Sequence, residues 1–409
     1  MVGSILRSWW ANHRVTVLRL AVALMILLAL LKLGDEFRRL LWQSDPVGAI
    51  DLKQRHVEVH RWFAGRPVYR ELKNALYPPA SYVILWPLLG WIAVTPARWL
   101  WAFTTVVALW WLVRLTVQES GADTTLERVF VALMPLSMNA TGVTIGNGQL
   151  TVHLLPILVA GLLLLHRGRR GWSGDLLAAV LILVTLVKPS LSVPFFWMVL
   201  FVPAGLRPTL LVSLGYIALT LFAASFQESG LWTLLHDWLA RSSALAVSGG
   251  YANLHIWLAA LGLEAWLLRA SLLALVVLGL WTYRHRHEDP WLLMGVAALV
   301  ARFWTYHQLY DDLLILLPMV ALFRIAKREQ TVAGGDVAAV VLLVITVLAM
   351  LLPARLLFLL PPWGLLFTGG HAIVWIVVLI FLLDRARRER STREGVAAAI
   401  HRSAAGQTL

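Results

Sequence analysis

Long apolar runs separated by short polar stretches recur along the chain. They fall near residues 15–33, 98–117, 129–145, 149–165, 173–188, 190–204, 208–226, 264–284, 290–304, 311–325, 334–353 and 365–384. The runs are too long for barrel strands and lack strict alternation, so they predict helices. Several are short for an apolar layer of about 30 Å, which fixes their ends only to within a few residues. A further run, 81–95, is short, contains Pro87 and ends at Thr95-Pro96. Between the first run and this one lies a long polar segment, residues 34–80, with Asp51 in it and Tyr77-Pro78-Pro79 at its end.

Composition turns the pattern into a fold class. Of 409 residues, 59% are hydrophobic and 14% charged, a balance that makes a bilayer the natural solvent. Backbone amides in hydrocarbon must be satisfied within each segment, which selects an all-α polytopic membrane protein. The absence of cysteine excludes disulfide and thiolate chemistry. A net charge of +13 could suit nucleic acid, but the basic residues sit in short clusters between apolar runs. That is the pattern that orients helices during insertion, so no nucleic-acid partner is expected. Ala21 to Leu33 continues from a basic start without a small-residue cleavage site and reads as the first span.

The basic clusters also set the topology. Arg7 and Arg14 place the N-terminus inside, and Arg385, Arg387, Arg388 and Arg390 do the same for the C-terminus. His166-Arg167-Gly168-Arg169-Arg170, Arg284-His285-Arg286 and Arg324 with Lys327-Arg328 reach the same face only if 81–95 does not cross. The reading is about twelve crossings, with juxtamembrane helices in a first outer loop, residues 34–97, and 81–95 lying in or dipping into the outer interface. Residues 1–390 form one membrane domain, followed by a disordered cytoplasmic tail at 391–409. With this parity Asp51, Asn147, Gln149, Lys188, Arg302 through Asp312 and the loop 227–253, with His236, Asp237 and Arg241, all lie on the outer side. Ionisable groups at such depth are costly and tend to be functional, so these loops are expected to converge on one site.

Each candidate also has a plain structural explanation. Asp51 follows Pro46-Val47-Gly48-Ala49-Ile50, with Arg55, Glu58 and Trp62 at helical spacing beyond it. It can cap or begin a helix and form an exposed pair with Arg55, or act as a general base facing a cavity. Ile145-Gly146-Asn147-Gly148-Gln149 serves as a tight turn, or as a turn whose Asn147 and Gln149 meet sugar hydroxyls. Lys188, in Val187-Lys188-Pro189, either snorkels to the interface or holds a phosphate. In Arg302-Phe303-Trp304-Thr305-Tyr306-His307-Gln308-Leu309-Tyr310-Asp311-Asp312, Arg302 and His307 could neutralise a phosphate and Tyr306 or Trp304 could stack on a sugar ring. The same segment could be a salt-bridged interface belt. Arg269 is a lipid-phosphate contact or a partner of Glu264. No P-loop, Gly-rich dinucleotide turn or HExxH motif is present, so an activated substrate would arrive on a membrane lipid.

Taken in order, Asp51, Trp62-Phe63-Ala64-Gly65, Tyr69, Tyr77-Pro78-Pro79, Trp86-Pro87-Leu88, Gly146-Asn147-Gly148-Gln149, Val187-Lys188-Pro189 and His307 ahead of Leu313 to Pro318 resemble glycosyltransferase family 87 of the GT-C superfamily. The resemblance spans nearly the whole chain. It implies a GT-C fold that moves a hexose, commonly mannose, from a polyprenyl-phosphate donor to a lipid or glycan acceptor. The transfer would take place outside the bacterial cytoplasmic membrane. It implies Asp51 as catalytic base and carries the family's late histidine onto His307. Lys53-Gln54-Arg55-His56 departs from the tyrosine-rich stretch that often follows the aspartate. The site would then comprise Asp51, the phosphate ligands Lys188, Arg302, His307 and Arg269, and the sugar or acceptor contacts Asn147, Gln149, Tyr77, Tyr306, Asp311 and Asp312. Inverting single displacement is expected, with no metal and no cofactor, because one or two side-chain cations suffice for a departing lipid monophosphate. Alternatives are an arabinofuranosyl- or glucosyltransferase, and a lipid-linked sugar transporter or flippase. The last would favour charges within spans and an internal repeat, of which the sequence shows little.

Overall fold

A computed structural model describes residues 2–44, 47–168, 171–203, 205–248, 252–330, 337–353, 356, 359–360 and 362–406. Pro46, Arg169 and Arg170 lie outside the described residues. Among those described, the regular structure is helical.

The chain starts with α1 (Val2–Trp42), followed by the short helices α2 (Ile50–Phe63), α3 (Val68–Glu71) and α4 (Pro79–Leu89). Then come α5 (Val94–Glu119), α6 (Thr125–Ser137), α7 (Asn139–Asn147), α8 (Thr151–His166) and α9 (Trp172–Thr185). Next are α10 (Pro189–Ser192), α11 (Phe196–Phe201), α12 (Leu206–Ala224), α13 (Leu231–Ser248), α14 (Leu254–Ala260) and α15 (Leu267–Arg284). The last are α16 (Pro290–Trp304), α17 (Leu316–Gln330), α18 (Val337–Leu351) and α19 (Trp363–Gly406). Among the described residues, five helical stretches are long and apolar enough to cross a bilayer: Val15–Trp42, Val94–Glu119, Leu206–Ala224, Glu264–Arg284 and Trp363–Glu394. The pair α6 and α7, bent by 45°, makes a sixth if taken as one broken span.

Hydrogen bonds and ion pairs sort the helix ends into two groups. At one end Arg324 joins Asp289 at 2.7 Å, Lys327 joins Glu127 at 2.9 Å and Arg393 joins Glu288 at 3.0 Å. Glu119 there receives Arg167 on its side chain and Arg324 on its backbone carbonyl. At the other end Arg98 donates to the carbonyls of Leu40, at 2.5 Å, and Gln43, at 2.9 Å, tying α5 to α1. Trp62 Nε1 donates to Ala223 O and Trp304 Nε1 to Ser190 O, at 2.9 and 2.8 Å. Helix α4 begins and finishes at this second end: Ser81 Oγ donates to Val187 O at 2.8 Å, and His56 Nε2 to Ile92 O at 2.7 Å. The loop 227–253 contributes latches, since Asp237 pairs with Arg70, Trp238 reaches Leu76 O and Arg241 reaches Tyr69 O.

Two expectations change. The polar segment does not begin as a loop at residue 34, because α1 continues to Trp42. Glu36–Arg39 and Asp35–Arg38 pairs, both at 2.8 Å, carry the helix past its apolar run. Helix α19 likewise continues to Gly406, through most of the stretch set apart as a tail.

The approach of α2 to the tip of α7 sets the geometry of the site end. Ala49, at φ 53°, is the residue preceding α2, and its N–H donates to Gly146 O at 3.0 Å. Gly148 ends α7 at φ 69°, and a Cβ there would meet Leu52 Cβ at 2.6 Å. Only glycine fits both the backbone and the contact. Gly148→Ala is expected to cost on the order of 2–4 kcal/mol, from left-handed strain and overpacking together, and to displace the start of α2. Thermal unfolding in detergent reads this as a fall of several degrees; an unchanged Tm would mean that α2 is not seated on this turn.

Candidate active site

A cavity of about 250 Å3 opens at the second end. Helix α2 lines it with Asp51, Gln54 and Arg55, and the following loop adds Asn74, Leu76 and Tyr77. Gln149 enters from the α7–α8 turn, Lys188 from the break before α10, Ser190 from α10 itself, and Leu245 from α13. Tyr306, Gln308 and Tyr310 close it from the segment after α16. The loops expected to converge do meet here, through these particular residues.

Asp51 sits in the first turn of α2, not at its cap, which is Ala49. That position lies at the positive end of the helix dipole, which favours a carboxylate. Burial raises its pKa above the ordinary aspartate value, while Arg55, Lys188 and a hydrogen bond from the Gln149 side chain pull it down. Asp51 forms no ion pair among the described residues.

The two cations beside it each have an acid of their own. Lys188 Nζ lies 2.5 Å from Asp311 Oδ1 and 4.8 Å from the centre of the Tyr310 ring. Asp311 also accepts from Thr151 Oγ1 at 3.0 Å and from the Gln308 N–H at 3.2 Å. Arg55 pairs with the fully buried Glu58 at 2.6 Å, donates to Asn74 O at 3.2 Å and lies 4.3 Å over the Tyr77 ring. Gln54 bridges Glu58 and Asn74 O, at 3.0 and 2.6 Å. The exposed Asp51–Arg55 pair is therefore absent: Arg55 turns into the protein and onto Glu58.

Several expected site residues lie elsewhere. Arg302 is fully buried, pairs with Asp312 and covers the Trp375 ring at 4.9 Å, so both partners are in the bundle and neither lines the cavity. His307 is also fully buried off the cavity wall, Nδ1 3.2 Å from Thr305 O, behind Lys188 and Asp311. Asn147 accepts from Arg39 Nη2 and fastens α7 to α1. Arg269 is exposed on α15 and stacks on Trp266 at 4.9 Å, away from the cavity and not on Glu264. Tyr77, Gln149, Lys188 and Tyr306 reach the cavity, the last with its hydroxyl accepting from Gln308 Nε2 at 3.0 Å. The sequence reading missed Gln54, Asn74, Thr151, Gln308, Tyr310 and the cavity role of Arg55. Arg55 stands one turn beyond Asp51, and Thr151 two residues beyond Gln149, which are signals of proximity only.

Chemically the cavity offers a carboxylate without a counter-ion, two cations within its field, and hydroxyl and amide groups suited to a polyhydroxylated ligand. Among the described residues no group of three or more His, Cys, Asp or Glu is placed to hold a metal ion. A family model, glycosyltransferase family 87, matches residues 75–305, more than half of the 409-residue chain. Among curated proteins and among solved structures nothing matches.

Because Lys188 and Asp311 are both buried, removing one charge strands the other. Lys188→Met is expected to cost about 3–5 kcal/mol, and Lys188→Met with Asp311→Asn much less than the sum of the single changes. Denaturation of the four proteins measures the coupling; strict additivity would show that the pair carries no interaction energy.

Proposed function

The chain belongs to glycosyltransferase family 87, and from that premise we propose that it transfers a hexose, mannose in the first instance, from a polyprenyl-phosphate donor to a lipid or glycan acceptor. Arabinofuranosyl and glucosyl donors have the same leaving group, and the choice among sugars rests on the family resemblance. The family match begins at residue 75, so the role of Asp51 rests on geometry and on the resemblance of its segment. The observation that carries the proposal is a cavity acid without a counter-ion, set in the field of two cations.

Asp51 takes the proton of the acceptor hydroxyl as that oxygen attacks the anomeric carbon. The bond from that carbon to the phosphate oxygen breaks, and polyprenyl phosphate leaves with the electron pair. Lys188 and Arg55 stabilise the departing phosphate, with Tyr77, Gln149 and Tyr306 around the sugar. No metal or cofactor takes part in this scheme. The basic end is cytoplasmic and the cavity extracytoplasmic, with about twelve passes in a GT-C arrangement. Support comes from the clustering of basic loops at the end opposite the cavity, and from α4 being tied at its start and just past its finish to the cavity end of the bundle.

Purified protein given labelled polyprenyl-phosphate mannose and a lipid extract is expected to form labelled product. Asp51→Asn is expected to slow transfer by about 10²–10⁴-fold. A carboxyl whose folded pKa is raised weakens the fold as pH climbs from its unfolded to its folded value. Asp51→Asn should therefore match or exceed the parent Tm at neutral pH. The acid limb of kcat/KM should fall at a pH above the ordinary aspartate value of about 3.9. Normal turnover in Asp51→Asn would remove Asp51 as the base.

A further inference from the structure

A second cavity, of about 400 Å3, opens at the basic end between the last turn of α15 and α19. Trp281, Arg284 and His285 line one side, and Leu383, Arg387, Arg390, Ser391 and Glu394 the other, the one acid being held by Arg390. The Trp281 and His285 rings stack at 4.8 Å, and His285 Nδ1 donates to Trp281 O at 2.8 Å, which fixes that wall.

Most cations near this cavity are neutralised. Arg324 and Arg328 share Asp289, Arg393 takes Glu288, Arg385 takes Glu389 and Arg388 takes Asp384. Arg390 pairs with Glu394 at 2.7 Å. Arg284 and Arg387 form no ion pair among the described residues, and both face the same space. One and two turns back from them, on the same helix faces, Leu280 and Val277 of α15 and Ile380 of α19 are exposed. Both helices are among those long and apolar enough to span a bilayer.

A cationic cavity directly above an exposed apolar strip fits a molecule with an anionic head and hydrocarbon tails. We propose that it binds the phosphodiester headgroup of an anionic glycerophospholipid, with Arg284 and Arg387 on the phosphate and the acyl chains along Leu280, Val277 and Ile380. The site stands apart from the Asp51 cavity, and its occupancy does not depend on glycosyl transfer. A free phosphate would meet the same arginines but gain nothing from the apolar strip.

Native mass spectrometry of the delipidated chain in neutral detergent tests this with three probes: phosphatidylglycerol, phosphatidylcholine of the same chains, and inorganic phosphate. Phosphatidylglycerol is expected to bind at least about tenfold more tightly than phosphatidylcholine. That preference should fall about tenfold in Arg284→Gln and in Arg387→Gln, and partly in Arg387→Lys, which keeps charge but loses the fork. Arg128→Gln, an equal charge loss on α6, should leave it intact. Equal binding of the two lipids, or a preference untouched by both glutamine variants, would overturn the proposal. Displacement of phosphatidylglycerol by inorganic phosphate at matched concentration would also overturn it, in favour of a soluble anion.

Discussion

A carboxylate at the edge of an apolar bundle survives only if something compensates its lost hydration. Here compensation comes from the start of α2, from Gln149 and from the fields of Arg55 and Lys188. Those cations are themselves neutralised by Glu58 and Asp311, so the cluster of two cations and three acids keeps one net negative charge when Asp51 is ionised. The balance has a chemical consequence in the proposed reaction. A bound donor phosphate adds negative charge near Asp51 and raises its proton affinity further. In the proposed reaction the base would therefore be strongest when a leaving group is in place.

The rest of the architecture serves this cluster. Asp51 is carried by a short helix, α2, seated on the glycine tip of α7 and pinned to α12 through Trp62. Lys188 stands at the break between α9 and α10, as the residue before Pro189, and Asp311 lies in the first turn of the 3-10 helix Leu309–Ile315 ahead of α17. Residues from distant parts of the chain meet because the breaks between helices fall at one end of the bundle. At the other end acids and bases pair across loops and brace the helices against each other.

The sequence made legible what depends on local chemistry. Glycines and Asn147 marked the turn that presents Gln149, Pro189 marked the break beneath Lys188, and the charge pattern marked two unlike ends. Helical phase was not legible. Asp311 and Asp312 are neighbours, yet in a turn of three residues their side chains diverge by about 120°. Asp311 reaches Lys188 beside the cavity, whereas Asp312 turns to Arg302 within the bundle. In the non-helical stretch just before that turn, His307 is buried behind the pair while its neighbour Tyr306 reaches the cavity. Arg55 looked like the exposed partner of Asp51 because an i,i+4 spacing is what sequence shows. Its real partners, Glu58, Asn74 O and the Tyr77 ring, depend on how the loop folds back over α2. The transporter alternative also gives way, since the family is one of transferases.

The central claim is that one carboxylate, Asp51, accepts a proton and never bonds to the sugar. The anomeric configuration of the product tests this most directly, by NMR of glycan formed from a donor of defined anomer. Single displacement predicts the opposite anomer. A product that retains the donor's configuration would require a double displacement or a same-face substitution, and either would contradict the account.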